Sequence, residues 1–209
     1  MDWTAAAVTL KVAAATTAVL LVLGLPLAAW LATTRMPGKS IVEAAVALPL
    51  LLPPTVLGFY VLRAEAATGS GLPFTFGGIL VGSVLFNLPF AVRPFVAAIA
   101  EVNPRLVEAS WCLGVSRLAT FLRVVVPLAM PGILAGAVLT FGHTIGEFGV
   151  VLMVGGNIPG VTRTLSIAVY DDVQALDYAA AGRTALVLVA FAFAVLLAVQ
   201  LLPRRAVAR

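Results

Sequence analysis

Three ionisable side chains stand inside long apolar stretches of the sequence: Arg93, His143 and Glu147. Stretches of this length are typical of membrane spans, and an ionisable group at the centre of a bilayer costs about 2.5–3.5 kcal/mol on insertion scales. Each of the three is therefore expected to face protein or water, and each is a candidate functional residue.

Two interpretations stay open for Glu147 and two for Arg93. Glu147 either anchors helix packing, by a salt bridge or a packing contact, or lines a pore or gate. His143 precedes it by four residues, a spacing at which two side chains on a helix can pair. Arg93 either lines a path for an anion or extends towards the nearer membrane surface.

Patterns of the common enzyme classes are absent from the sequence. It has no lysine-containing phosphate loop, no His-Glu-x-x-His pair, no nucleophile elbow and no dinucleotide-binding glycine pattern. The single cysteine, Cys112, excludes an intramolecular disulfide and a metal site made of several cysteines. We expect the chain not to be an enzyme and to bind no metal or cofactor itself.

The composition is that of a protein that crosses a membrane several times. Hydrophobic residues make up 62% of the chain and charged residues 11%, whereas soluble domains have about 25% charged residues. The net charge of +4 arises from basic residues at the ends of apolar stretches, which favours membrane orientation over nucleic-acid binding. No linker or repeat divides the chain, so one transmembrane domain, 1–209, is expected.

Five stretches are apolar and long enough to cross a bilayer. They run roughly over 6–33, 41–62, 76–99, 127–154 and 185–202. The second contains Pro49, Pro53 and Pro54, which predict a broken helix; such a break packs on protein, lines a wet cavity or is a kink without function. The segment 155–184 is too polar to cross, and a short helix dipping into the membrane is expected at 164–174.

The basic residues of the connections predict the orientation. One side has Arg35, Lys39, Arg105, Arg117, Arg123, Arg204, Arg205 and Arg209. The other has Arg63, Arg163 and Arg183, with Lys11 near it. Because basic loops stay in the cytoplasm, we expect a cytoplasmic C-terminus and an N-terminus outside.

A polar segment at 103–127 interrupts the apolar sequence. Asn103 is a good N-cap, Pro104 suits the first helical position, and Gly114 suits a left-handed C-terminal cap. Ser116 can cap a second helix. The segment is therefore predicted to be a helix–turn–helix, either lying on the bilayer or contacting another protein.

The same segment resembles the "EAA" loop of ABC-importer permeases. The resemblance is carried by Glu108-Ala109-Ser110, by Gly114, by Val124 and by Pro127, with small departures from the pattern at Ser110, Val124 and Val126. It implies the type I ABC importer permease fold, all-α with about five transmembrane helices, and a cytoplasmic coupling helix in a loop at about 101–127. The residues implied to form this coupling loop are Arg105, Glu108, Ala109, Ser110, Gly114, Val115, Arg117 and Pro127.

Longer stretches are similar to the molybdate and sulfate branch of these permeases. They are residues 48–58, 146–149, 156–160 and 162–170. The compact length and the Pro-Pro-Thr-Val-Leu-Gly run at 53–58 favour molybdate, with tungstate and sulfate or thiosulfate as alternatives. The implied translocation path or gate contains Pro53, Pro54, Thr55, Arg93, Glu147 and Asn157.

The resemblance also implies partners in a bacterial inner membrane. Two copies of the chain form the path, a periplasmic or surface-tethered binding protein delivers the oxyanion, and two ATPase subunits bind ATP and Mg²⁺. An ATP-independent carrier predicts repeated halves and a charged midplane site, and the sequence has neither. A membrane scaffold leaves the coupling-loop pattern without a purpose.

Overall fold

The computed structural model describes residues 2–201, which form ten α-helices and no strand. In chain order they are α1 Trp3–Thr33, α2 Lys39–Ala47, α3 Pro54–Ala67, α4 Phe76–Ala100, α5 Pro104–Cys112, α6 Arg117–Thr120, α7 Val126–Ile145, α8 Gly149–Gly155, α9 Leu165–Gln174 and α10 Tyr178–Leu201. A 3-10 turn, Leu48–Leu50, follows α2, and a π-helical stretch, Phe121–Val125, joins α6 to α7.

Four helical segments are long and apolar enough to cross a membrane, and one bent pair makes a fifth if its two helices form a single span. The four are α1, α4, the continuous segment Arg117–Ile145 and α10. The fifth is the pair α2 and α3, whose axes differ by 111°. Pro54 begins α3 at a position that needs no backbone N–H. The predicted break of the helix in this stretch is confirmed.

The core forms where α1, α4 and α7 pack together. Phe95 at its centre is fully buried, and Leu20 of α1 and Ile133 of α7 are almost completely buried in the same cluster. Small residues let the helices approach: a Cβ added to Gly132 would lie 2.4 Å from the Cβ of Ala98. Without a hydrophobic driving force between helices in lipid, such close packing is what holds a membrane bundle together.

The fourth span predicted over 127–154 is present, but its predicted end is wrong. Helix α7 ends at Ile145, residues 146–148 form a turn, and the short α8 begins at Gly149. Glycine at both edges of the turn weakens the helix, and the side chain of Glu147 between them is buried against α4. Helix α8 instead packs on α3, where a Cβ added to Gly58 would lie 2.8 Å from the Cβ of Met153.

The last span begins earlier than the prediction of 185. Asp177 caps the start of α10, since its Oδ1 accepts a hydrogen bond from the backbone N–H of Ala180 at 2.9 Å. Arg183, counted as a loop residue from the sequence, lies inside this helix. The predicted end at Leu202 and the basic residues Arg204, Arg205 and Arg209 lie outside the described residues.

The short helix predicted at 164–174 is confirmed as α9. Its first residue, Leu165, donates its backbone N–H to Thr9 Oγ1 of α1 at 2.9 Å. Arg163, just before it, forms ion pairs with Asp171 and, at 3.9 Å, with Asp2. These contacts fix α9 beside the first turns of α1.

Candidate functional site

A buried polar cluster joins α4 to the turn between α7 and α8. Asn87 of α4 donates one Nδ2–H to Glu147 Oε2 at 3.1 Å, and its Oδ1 lies 2.8 Å from His143 Nδ1. Asn87 is completely buried and Glu147 is 4% exposed. A polar chain of three side chains therefore runs from the apolar interior, at Asn87 and Glu147, to the half-buried His143.

A contact with a backbone carbonyl oxygen fixes the orientation of the Asn87 side-chain amide. Its Nδ2 also lies 2.9 Å from the backbone carbonyl oxygen of Ser83, which can only accept a hydrogen bond. The amide nitrogen must therefore point towards Ser83 and Glu147, and the amide oxygen towards His143. Because that oxygen only accepts, His143 Nδ1 carries a hydrogen and donates it.

Two polar atoms of this cluster keep unused hydrogen-bonding capacity. Glu147 Oε1 and Ser83 Oγ are buried and have no hydrogen-bond partner among the described residues. Glu147 also forms no ion pair with any residue of 2–201. The salt-bridge interpretation of Glu147 is therefore wrong within this range, and the packing-anchor interpretation describes its contact with α4.

His143 and Glu147 do not pair directly, as their spacing suggested; they are connected through a third side chain. The helix that would have placed them on one face ends at Ile145, between them. Asn87, sixty residues before Glu147 in the chain, connects the two instead. Asn87 was not among the residues predicted from the sequence, although an amide within the apolar stretch 76–99 is a usable signal.

The other residues predicted for a path do not form one group. Pro53, Pro54 and Thr55 are exposed at the break before α3, where a Cβ added to Gly149 would lie 2.8 Å from Pro54 Cβ. Arg93 is exposed on α4 and has no ion pair among the described residues.

Asn157 lies apart from these residues, in the loop after α8. Its Nδ2 donates to Asp171 Oδ2 of α9 at 2.7 Å. The structure thus brings the α3 break close to the turn that carries Glu147, and leaves Arg93 and Asn157 elsewhere.

A second candidate site is the predicted helix–turn–helix, which the structure confirms in detail. Asn103 Oδ1 accepts from the N–H of Arg105 at 3.0 Å, and Ser116 Oγ accepts from the N–H of Ala119 at 3.3 Å. Gly114 has φ +76°. Its N–H bonds to the carbonyl of Trp111 and the N–H of Val115 to that of Ser110, the pairing of a Schellman cap.

Ser110, which replaces the alanine of the EAA pattern, has a hydrogen-bond partner in the structure. Ser110 Oγ lies 2.9 Å from Thr120 Oγ1, and both side chains are buried. This hydrogen bond ties α5 to α6 across the turn. The two short helices are therefore held as one unit.

Apolar and charged side chains cover the outer surface of this unit. Leu106, Leu113 and Leu118 are 48%, 83% and 69% exposed, and Arg105, Glu108 and Ala109 are exposed beside them. Between the unit and the ends of α1 and α4 lies a groove of about 720 Å³. Leu106 and Leu113 lie outside the membrane-crossing segments, and exposed leucines in such places are typical of a surface that contacts another protein.

Residues 12–207 match the family described as "Binding-protein-dependent transport system inner membrane component". The chain belongs to this family. It is therefore a transport component of the inner membrane with several membrane-spanning helices, and not an enzyme.

Two curated relatives cover most of the chain. The molybdenum transport system permease protein ModB of Azotobacter vinelandii is 47% identical over 94% of this chain and 92% of its own length. The sulfate transport system permease protein CysT of Escherichia coli (strain K12) is 32% identical over 86% of this chain and 69% of its own. The molybdenum permease is thus the more similar of the two.

Solved structures show the same fold. An inward-facing structure of the MetNI methionine ABC transporter matches with a TM-score of 0.72 at 21% identity, covering 98% of this chain and 97% of that one. A bacterial alginate ABC transporter in complex with an alginate-bound periplasmic protein matches with a TM-score of 0.70 at 19% identity, covering 97% and 78%. The expected fold of an ABC importer permease is confirmed.

Proposed function

We propose that this chain is the membrane-spanning subunit of an ATP-driven importer that carries molybdate, delivered by a binding protein. The observation that supports this cargo most directly is the full-length likeness to the molybdenum permease of Azotobacter vinelandii. The likeness to the sulfate permease is lower and covers less of that relative, so sulfate is the second candidate.

The helix–turn–helix 104–120 is the part of the chain that couples transport to ATP. Its exposed leucines and the exposed Glu108 form a surface for a cytoplasmic ATPase, and the Ser110–Thr120 hydrogen bond makes α5 move together with α6 and therefore with α7. ATP and Mg²⁺ bind to that ATPase and not to this chain. Closure of two ATPase subunits would displace two coupling loops and change the access of the path.

Two copies of the chain line the translocation path. Helix α10 is almost entirely exposed within one copy, and Arg93 and Thr55 are exposed on segments whose length and composition suit a membrane span. A charged or polar side chain exposed within a membrane span needs water or another protein chain beside it. A path between two copies supplies both, with Pro53, Pro54 and Thr55 at the broken second span as part of its wall.

The cargo is tested with the complete complex in proteoliposomes. The permease is purified with its ATPase, and the hydrolysis of ATP is measured with the binding protein loaded with molybdate, tungstate or sulfate. Stimulation by molybdate and tungstate, but not by sulfate, is the expected result, because the first two ions are larger than sulfate and similar to each other.

The alternatives predict different results in the same assay. Stimulation by sulfate alone would keep the importer and replace its cargo. A permease that co-purifies with no ATPase and still moves the ion would contradict the importer and favour a secondary carrier.

A further inference from the structure

We propose that the groove between the helix–turn–helix 104–120 and the ends of α1 and α4 binds an anionic phospholipid. The phosphate of the lipid lies at Arg35 and Arg117, and its acyl chains lie against the apolar part of the lining. This inference goes beyond the proposed function and does not depend on which ion is transported.

The groove lies where three membrane-spanning segments meet their polar connections. Trp30 and Thr33 come from the last turn of α1, Ile99 comes from the last turn of α4, and Arg117 is the first residue of the segment Arg117–Ile145. Because these are the ends of stretches that suit a bilayer, we expect the groove at the level of the lipid headgroups. Its volume of about 720 Å³ is within the range of about 300–1,000 Å³ that is common for small-molecule sites.

Two tryptophan rings with much exposed surface line the groove. Trp30 is 38% exposed and Trp111 is 48% exposed, and Val107 and Phe121 add further apolar surface. Tryptophan is enriched where a membrane meets water, because its ring is largely apolar and its indole N–H is a hydrogen-bond donor. Such a lining suits the glycerol region and the first carbons of two acyl chains.

The charged side chains of the lining favour an anion. Arg35 and Arg117 are exposed there and form no ion pair within residues 2–201, and Glu108 is the one carboxylate that lines the groove with them. Guanidinium groups donate paired, charge-assisted hydrogen bonds to phosphate oxygens. Basic pockets between membrane helices on the cytoplasmic side are typical sites for anionic headgroups. The choline group of a zwitterionic lipid would instead add a cation beside two arginines.

A contact with Trp111 keeps one of the guanidinium groups at the groove. Arg117 Cζ lies 5.9 Å from the centroid of the Trp111 ring, within reach of a cation–π interaction. The N–H donors of a guanidinium lie in its own plane, so stacking on a ring leaves them available to phosphate oxygens. Because the Ser110–Thr120 hydrogen bond also joins α5 to α6, this basic side of the groove is held in place by two contacts.

A lipid fits the groove better than a segment of the ATPase does. The exposed Leu106 and Leu113, which belong to the surface proposed for the ATPase, are not part of the lining. The lining instead includes Ala29 and Ala32 of the apolar span α1. Acyl chains can therefore follow it towards the bilayer, whereas a soluble protein approaches from the water.

Two substitutions in the groove and one matched control test the site. Arg35→Gln and Arg117→Gln each remove one charge from the lining. Arg123→Gln removes the charge of an exposed arginine six residues after Arg117 that does not line the groove. The complete complex of permease and ATPase in detergent is titrated with phosphatidylglycerol or phosphatidylcholine, and native mass spectrometry gives the dissociation constant of the first lipid bound per permease copy.

Phosphatidylglycerol is expected to bind more tightly than phosphatidylcholine. Arg35→Gln and Arg117→Gln should each weaken the binding of phosphatidylglycerol by about fivefold, the factor that one arginine near an anionic membrane surface contributes. Arg123→Gln should leave it unchanged.

Three results would overturn the proposal. Equal affinity for the two lipids would show that the groove does not select an anion. Equal weakening by all three variants would show that the lipid is attracted by the charge of the whole surface. Binding to the permease alone that is lost in the complex would assign the groove to the contact with the ATPase. The assay measures lipid and not transport, so an error in the proposed cargo would leave its result unaffected.

Discussion

Asn87 is the residue on which the interior polar cluster depends. It satisfies one oxygen of Glu147 and one nitrogen of His143, and its second amide hydrogen is taken by the carbonyl of Ser83. A buried polar group that loses its partner costs about 1–3 kcal/mol, and more if it is charged. The side chain of Asn87 thus supplies hydrogen-bond partners to two others, whose burial would lower the stability of the protein without it.

We therefore expect Asn87→Leu to lower the stability of the permease by at least about 1–3 kcal/mol, since the change leaves both Glu147 and His143 without a partner. The measurement is the temperature at which the detergent-solubilised protein loses its monodisperse peak in size-exclusion chromatography. Thr16→Val is the matched control, because Thr16 Oγ1 of α1 is buried but has no hydrogen-bond partner among the described residues. A larger effect of Thr16→Val than of Asn87→Leu would contradict this expectation.

A second residue-level prediction concerns Ser110, where the chain departs from the usual alanine. Removing its hydroxyl leaves Thr120 Oγ1 buried without its partner at 2.9 Å, at a cost of about 1 kcal/mol. Ser110→Ala should then speed backbone hydrogen exchange across 104–120 by about fivefold. Exchange in Ser110→Ala/Thr120→Val should return towards the wild-type rate, because both polar groups are gone; no recovery would show that the hydroxyl pair does not hold the two helices together.

Local rules explain why these helix ends could be predicted from the sequence. Asn103, Ser116 and Gly114 act through hydrogen bonds and backbone angles within a few residues of themselves. The partner of Glu147 could not be found in this way. It is Asn87, far away in the chain, and nothing in the spacing of His143 and Glu147 indicates that the helix ends between them.

At the scale of elements, the helix–turn–helix 104–120, which we propose as the coupling loop, depends on the left-handed turn at Gly114. Its φ of +76° permits the two hydrogen bonds that close α5 before α6 begins. A side chain with a Cβ costs roughly 1–2 kcal/mol in this conformation, but asparagine tolerates it better than other residues. No atom lies within 4 Å of the position of an added Cβ, so substitutions test the backbone and not packing.

We expect Gly114→Asn to transport molybdate at close to the wild-type rate and Gly114→Val to transport it about tenfold more slowly. The strain of the β-branched residue shifts the loop away from the shape that the ATPase would bind, and about 1.4 kcal/mol corresponds to a factor of ten in population. Uptake by proteoliposomes is compared at equal permease content. Equal rates in both variants would show that the turn is not needed for coupling.

The broken spans show where prediction at this scale fails. The break between α2 and α3 can be predicted from Pro49, Pro53 and Pro54, because proline removes a backbone hydrogen-bond donor. The break between α7 and α8 has only glycines, which membrane helices tolerate. It forms because α8 packs on α3 and Glu147 reaches Asn87, two tertiary contacts that the local sequence does not contain.

At the scale of the whole molecule, two opposite ends can be distinguished. Asp2 caps the start of α1 and pairs with Arg163 near α9, while Trp30 and Thr33 at the other end of α1 line the groove beside Trp111. Helix α1 has 31 residues, so these ends are about 46 Å apart at 1.5 Å per residue. The helix–turn–helix 104–120 and the loop after α8 therefore lie at opposite ends of α1, and we expect them on opposite sides of the membrane.

Chemical labelling of the single cysteine of the chain can show which end of the bundle faces the cytoplasm. Cys112 is exposed at the end of α5, and the excess of basic residues on that side predicts that it faces the cytoplasm. A membrane-impermeant maleimide added to permease expressed without its ATPase should label Cys112 in inside-out vesicles and leave it unlabelled in intact spheroplasts. In Cys112→Ser/Val161→Cys, whose new thiol replaces an exposed valine in the loop after α8, the accessibility should reverse. Labelling of Cys112 from outside would place the coupling loop on the side without ATP, and coupling to a cytoplasmic ATPase through this loop would then be impossible.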